Sequence, residues 1–239
     1  MIDKHLLKLR ARDEISDEEE RAIRAAVERI EEIPADKVYI RHDVPLDTCT
    51  LLLDGIMCRF KDLRNGERQI TELHVAGDFA DLHSFTLKRL DHDILCLTPC
   101  RVAVVPHEKV REITEAYPHL ARVYWFGTNL DAAIHREWEL SLGRRTAAAR
   151  IAHLFCELYV RLEIVGLARD HQYELPLTQA DIAECLGLTS VHVNRMLKEL
   201  RQQQLVEFSG GRIEIRDWAG LQRLAEFNPS YLYLERRPR

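Results

Sequence analysis

The sequence predicts an α+β chain in three parts: an N-terminal antiparallel β-roll, one long helix, and a C-terminal pair of short helices followed by a β-hairpin. Three observations predict it. Apolar residues recur with period two between residues 37 and 106, and with a three-four spacing from about 117 to 142. The stretch TQADIAECLGLTSVHVNRMLK, residues 178–198, then breaks into two short helices at Gly187. With 239 residues, 46% of them hydrophobic, the chain is long enough for two small domains with their own cores. It is too charged throughout for a membrane span. Residues 1–16 hold no apolar export core and no small-residue cleavage site, so a cytoplasmic protein without membrane contact is expected.

Taken in order, Ser16 and Glu19 form a capping box for an amphipathic helix expected from 16 to about 32, with Ile23, Val27 and Ile30 on its apolar side and Pro34 ending it. Short strands follow. Val38 and Ile40 alternate, then Leu51, Leu53, Ile56, Cys58 and Phe60, then Ile70, Leu73 and Val75, then Leu95, Leu97, Val102 and Val104. Gly55, Gly66 and Gly77 recur every eleven residues, and Asn65-Gly66 is a tight-hairpin signal, so the turns of the roll are evenly spaced. Six cysteines scattered through mostly apolar surroundings read as buried, reduced thiols.

The long helix carries a seam of Leu120, Tyr124, Gly127, Asp131, Ile134 and Trp138, too long for one small sheet to cover. A partner helix from a second copy is expected to cover it, with Gly127 permitting close approach; packing wholly within the chain is the alternative. Gly143 marks an expected hinge before a helix from 144 to about 165 whose Ile151, Leu154, Phe155, Leu158 and Leu162 face inward.

Thr178 and Asp181 give a helix start, Gly187 a stop, and Thr189 a second N-cap. Val193, Met196, Leu197 and Leu200 form the inner face of the second helix; Ser190, His192, Asn194, Arg195 and Lys198 form the outer one. Residues 205–208 and 212–215 alternate around Ser209, Gly210 and Gly211, which is a hairpin, and Asp217 caps a short closing helix through Phe227. Helix, helix and Gly-turned wing together are a winged helix-turn-helix, the form in which a helix enters a DNA groove. The net charge of -5 argues weakly against a protein coated in nucleic acid but does not settle a local face, and Arg144, Arg145, Arg195, Lys198, Arg201 and Arg212 are expected to form the one DNA would meet.

The order of parts resembles the Crp/Fnr superfamily of bacterial transcription regulators over almost the full chain. The resemblance is strongest in LPLTQADIAECLGLTSVHVNRMLKELRQQQLVEFSGGRIEI, with looser matches in VAGDFADLHSF and CRVAVVP. It implies a cyclic-nucleotide-binding-like roll with its N-terminal helix (1–115), a dimerisation helix (116–142) and a DNA-binding domain (143–239). It also implies a homodimer on a roughly palindromic double-stranded site, and admits RNA polymerase as a further partner.

Carried over to this chain, the base-reading positions are Ser190, Val191 and Arg195, with His192 and Asn194 beside them. Thr178, Gln179, Thr189 and Lys198 would meet phosphates. Arg195 matches the family's arginine; Val191 stands where a glutamate is common, so a different operator is expected. The effector pocket would involve Asp81, Leu82, His83, Arg89 and His92. The family's Gly-Glu pair for the ribose falls on Asp81 and Leu82, and its phosphate-holding Arg-Ser or Arg-Thr pair falls near Leu90 and Asp91, so cyclic AMP is not expected to bind. The N-terminal cysteine cluster of iron-sulfur members has no counterpart, since the first cysteine is Cys49. His83, His92, Cys96 and Cys100 lie close in sequence, and His83 aligns near a haem-ligating histidine; a haem- or metal-dependent sensor is therefore the alternative reading. A sensor or interaction module that has lost DNA binding is another. No nucleophile-base-orienter set, P-loop or dinucleotide motif points to an enzyme.

Overall fold

A computed structural model describes residues 1–238. Its elements, in order, are α1 (Asp3–Arg10), α2 (Asp17–Ala25), β1 (Arg29–Ile33), β2 (Lys37–Ile40), β3 (Thr48–Asp54), β4 (Met57–Asp62), β5 (Arg68–His74), α3 (Ser84–Leu87), β6 (Asp93–Cys96) and β7 (Cys100–Pro106). There follow α4 (His107–Ala116), α5 (Pro118–Arg144), α6 (Ala147–Ile164), β8 (Ala168–Arg169), β9 (Gln172–Glu174), α7 (Gln179–Leu186), α8 (Ser190–Gln202), β10 (Val206–Ser209), β11 (Arg212–Ile215) and α9 (Trp218–Ala225).

Two compact units emerge. One holds Met1–Phe60, Leu73–Ala133 and the residues from Tyr233; the other holds Lys61–Glu72 and Ile134–Leu232. The long helix is therefore not a unit of its own, because the division falls within it.

In the first unit the roll consists of two antiparallel sheets, ordered β1-β7-β3 and β2-β6-β4-β5, with the chain passing from one to the other between β6 and β7. Alternating side chains of β3 and β7 feed two cores: Leu51, Leu53, Ala103 and Val105 pack with Leu6, Ile23, Ile113 and Leu120, while Leu52 and Val102 pack with Met57, Leu90 and Ile94. The capping box of Ser16 and Glu19 forms as expected, with Glu19 N donating to Ser16 Oγ and Ser16 N donating to Glu19 Oε2. The helix it opens ends much earlier than expected, at Ala25, and residues 29–33 are a strand. The register Arg29↔Val104 to Ile33↔Cys100 explains why: a sheet edge across the chain outweighs a weak local helical period, and Ile30 is left exposed.

The unexpected helix α1 is fixed by Lys4 against Asp54, Lys8 against Asp78, and the His5 ring Nδ1 at 2.9 Å from Gly77 O. Gly77 is required twice over. Its φ is +96°, and a Cβ would lie 2.9 Å from the carbonyl carbon and oxygen of Lys4.

In the second unit α6 packs against α7, α8 and α9, and the sheet is ordered β10-β11-β9-β8. Gly143 is helical and exposed, inside the last turn of α5; the chain turns at Arg145 and Thr146, whose hydroxyl caps α6 by accepting from Ala149 N. The helix break therefore falls at Arg145 and Thr146 and not at Gly143, where the sequence placed a hinge. No helix among the described residues is long and apolar enough to cross a membrane.

Candidate DNA-reading and effector sites

The reading head is built locally. Thr178 N and Oγ1 both donate to Asp181 Oδ2 at 2.7 Å and Asp181 N donates to Thr178 Oγ1 at 3.1 Å, so α7 begins where the sequence placed it. Gly187 ends α7 at φ +59°, a left-handed conformation costly for any side chain with a Cβ. Thr189 then accepts from His192 N and opens α8, which buries Val193 and Leu200. On its outer side Ser190, Val191, Arg195 and Lys198 are exposed, and Val191 is 81% exposed despite being aliphatic. Burial cannot explain a valine there. His192 and Asn194 are half-buried, and Asn194 Nδ2 donates to Gln179 Oε1 at 3.2 Å.

Two side chains distant in sequence cap the C-terminal carbonyls of α7. Gln69 Nε2 donates to Glu184 O at 2.8 Å and Cys185 O at 3.2 Å, and Arg150 Nη1 donates to Leu186 O at 2.9 Å. No local signal could have named either.

The wing forms as expected, β10 pairing β11 through Gly210 and Gly211, both at positive φ. A second hairpin, β8 to β9, adds to it through Asp170 and His171, also both at positive φ. Of the expected basic face, Arg145 is turned inward, donating to Glu137 Oε1 at 2.6 Å and Ala225 O at 3.0 Å, and so is lost from it. Arg201 remains half exposed but pairs with Glu207 at 3.0 Å.

Behind the reading head lies a buried polar cluster. Glu157, wholly buried, accepts from Trp138 Nε1 at 3.1 Å, Arg161 Nη1 at 3.0 Å and Tyr231 OH at 2.7 Å. A carboxylate there is stable only because charged and neutral donors surround it.

The expected seam on α5 faces its own chain. Leu120 and Tyr124 belong to a core of the first unit, Asp131 accepts from the buried Arg59 at 3.0 Å, Ile134 is buried, and Trp138 is held by Glu157. Gly127 approaches Leu82. The apolar period was real, but intrachain packing satisfies it. Other α5 positions are exposed instead: Arg122, Trp125 at 69%, Asn129, Ala132, Arg136 and Leu140 at 49%.

Of the expected effector residues, His83 and His92 come together, while Asp81 is buried and Arg89 is exposed. Asp81 is wholly buried and takes Thr50 N at 2.5 Å; burial drives its carboxyl up to about 7. Leu82 and His83 are half-buried and Arg89 is exposed. His83 and His92 rings are 5.4 Å apart, and His92 Nδ1 lies 2.9 Å from Asp91. Leu90 lies in a core, while Asp93 accepts from His42 N. A buried leucine and flanking acids do not fit a cyclic phosphate. Cys96 and Cys100 are buried in the same core as Leu90, which separates them from an exposed ligand set. All six cysteines are buried, and none is in a disulfide among the described residues. Among the described residues no group of three or more His, Cys, Asp or Glu side chains is arranged to hold a metal.

Comparison with known proteins bears on this geometry. A cyclic nucleotide-binding domain model matches residues 30–117, and a Crp-like helix-turn-helix domain model matches residues 149–224. A probable transcriptional activator of Rhizobium leguminosarum bv. viciae is 31% identical over 176 residues, 72% of this chain and 71% of that protein. The transcriptional activator protein FnrL of Cereibacter sphaeroides is 26% identical over 211 residues, 86% and 84% of the two chains. The solved structure of FixK2 from Bradyrhizobium japonicum superposes with a TM-score of 0.75 at 26% identity, covering 82% of this chain and 96% of that one. With a roll, a long helix and a winged helix-turn-helix in the family's order, the chain belongs to the Crp/Fnr family of DNA-binding transcription regulators, which are not enzymes.

Proposed function

We propose that the protein works as a homodimer that reads a roughly palindromic operator, one α8 per half-site, with half-sites about one helical turn apart. The observation that carries this reading is the outer edge of α8, where Ser190, Val191 and Arg195 stand exposed on a capped helix. Arg195 would grip a guanine O6/N7 edge, and Val191 would touch a thymine methyl where a glutamate would have sought a cytosine amino group. Thr178, Gln179, Thr189 and Lys198 would meet phosphates and set register. Arg122, Trp125, Asn129 and Ala132, exposed at three-four spacing in the part of α5 that belongs to the first unit, support pairing with a second copy better than the inward residues do.

The input is an effector, other than cyclic AMP, with different affinity for two arrangements of the reading heads. RNA polymerase would receive the output. Selection and sequencing of bound DNA, repeated across salt, tests the reading: an enriched two-fold motif with steep salt dependence supports it, and equal retention of all sequences overturns it. Sedimentation of Trp125→Glu tests the pairing face, with a dimer-to-monomer shift expected and an unchanged dimer against it.

A further inference from the structure

The hydrogen bond between Gln179 and Asn194 joins the first residue of α7 to the second turn of α8, fifteen positions away. Both ends are anchored. The Thr178–Asp181 box fixes the backbone of Gln179, and α8 fixes that of Asn194. Asn194 has two N–H donors and a carbonyl oxygen. One N–H is given to Gln179 Oε1 at 3.2 Å. The remaining N–H and Oδ1 are the donor-acceptor pair that matches adenine N7 and N6 in the major groove. Without the Gln179 contact, the terminal torsion of an asparagine is broad and nearly two-fold, so its donor and acceptor would interchange freely. Gln179 keeps its own Nε2 donors at a helix N-terminus, where a phosphate is favoured.

We infer that Gln179 is a positioning residue for base readout: by holding one N–H of Asn194, it presents the rest of that carboxamide to adenine at one position of each half-site. This inference rests on the DNA-reading function proposed above.

The test uses the full-length chain in four forms, wild type, Gln179→Leu, Gln179→Glu and Asn194→Ala, in bound-sequence selection followed by competition binding with single-base operator variants. The wild type is expected to prefer adenine at one position by at least about fivefold, and Asn194→Ala to abolish that preference. Gln179→Leu is expected to lower it by about 3- to 10-fold, the equivalent of ordering one amide side chain, without altering the guanine preference assigned to Arg195. Gln179→Glu still offers an acceptor to Asn194; it should restore the adenine preference while weakening binding to all DNA, since its charge meets phosphates. A uniform loss of affinity in Gln179→Leu with unchanged base preferences overturns the positioning role and leaves operator reading intact. A wild-type chain that enriches no sequence overturns operator reading itself, and the positioning role with it.

Discussion

Replacing Glu157 with alanine should destabilise the second unit severely, and the structure says by how much. The carboxylate is wholly buried and Arg161, its partner at 3.0 Å, is 3% exposed. Removing one member of such a pair leaves a buried guanidinium without its carboxylate, which costs about 3–5 kcal/mol. Trp138 Nε1 and Tyr231 OH lose the same acceptor, so the upper half of that range is expected. At about 4 °C per kcal/mol for a unit of this size, the melting transition should fall by about 16–20 °C. Thermal unfolding followed by circular dichroism reads this directly. Glu157→Leu combined with Arg161→Leu should recover much of the loss, because a buried ion pair replaced on both sides by apolar groups is often near neutral. A loss below about 1 kcal/mol for Glu157→Ala, or a double variant worse than the single one, would refute the charge-pair account.

Arg195→Ala should relax preference at one base pair and cost about 1–3 kcal/mol on the selected operator; equal losses on operator and scrambled DNA, by fluorescence anisotropy, would remove its base-reading role. Gly77→Ala should destabilise the first unit by about 1–3 kcal/mol in urea unfolding, since it forces a Cβ into a left-handed backbone and against Lys4; a neutral result would mean that α1 is easily displaced. His119 lies 2.6 Å from Glu19 and 3.2 Å from Asp13. Burial lowers its pKa, but those two carboxylates outweigh it and hold it above the ordinary 6.5. Its contribution to stability is therefore complete below pH 6.5 and lost as pH rises through the elevated folded value. The stability gap between wild type and His119→Gln should shrink between pH 6 and pH 9, and a constant gap would contradict the clamp.

The reading head was legible because its determinants are local. Thr178 with Asp181, Gly187 and Thr189 fix both helices within a few residues, and paired glycines fix the wing. Where partners are distant, the sequence misled or was silent. The helix expected to reach residue 32 lost its second half to β7, more than sixty residues later. The seam from Leu120 to Trp138 was correctly apolar but wrongly partnered, since a period tells that a face is buried and not what buries it. Arg59 with Asp131, and Gln69 with the end of α7, join residues 72 and 115 or more apart. No spacing rule reaches so far. The effector assignment was poorest because it borrowed positions from a family whose phosphate clamp this chain lacks, and Asp81 is wholly buried.

Gln69 also bears on modularity. It lies in a hairpin at residues 61–72 that groups with residues 134–232, so the folded unit that reads DNA is assembled from two separated stretches of sequence. Recombination that exchanged only the C-terminal half between relatives would deliver a reading head without the side chain that caps Glu184 and Cys185. The same holds at the bench: a fragment beginning at residue 143 lacks both Gln69 and Trp138, and a functional chimera must carry the hairpin and the end of the long helix along with it. The two units of this chain cannot be parted at one peptide bond.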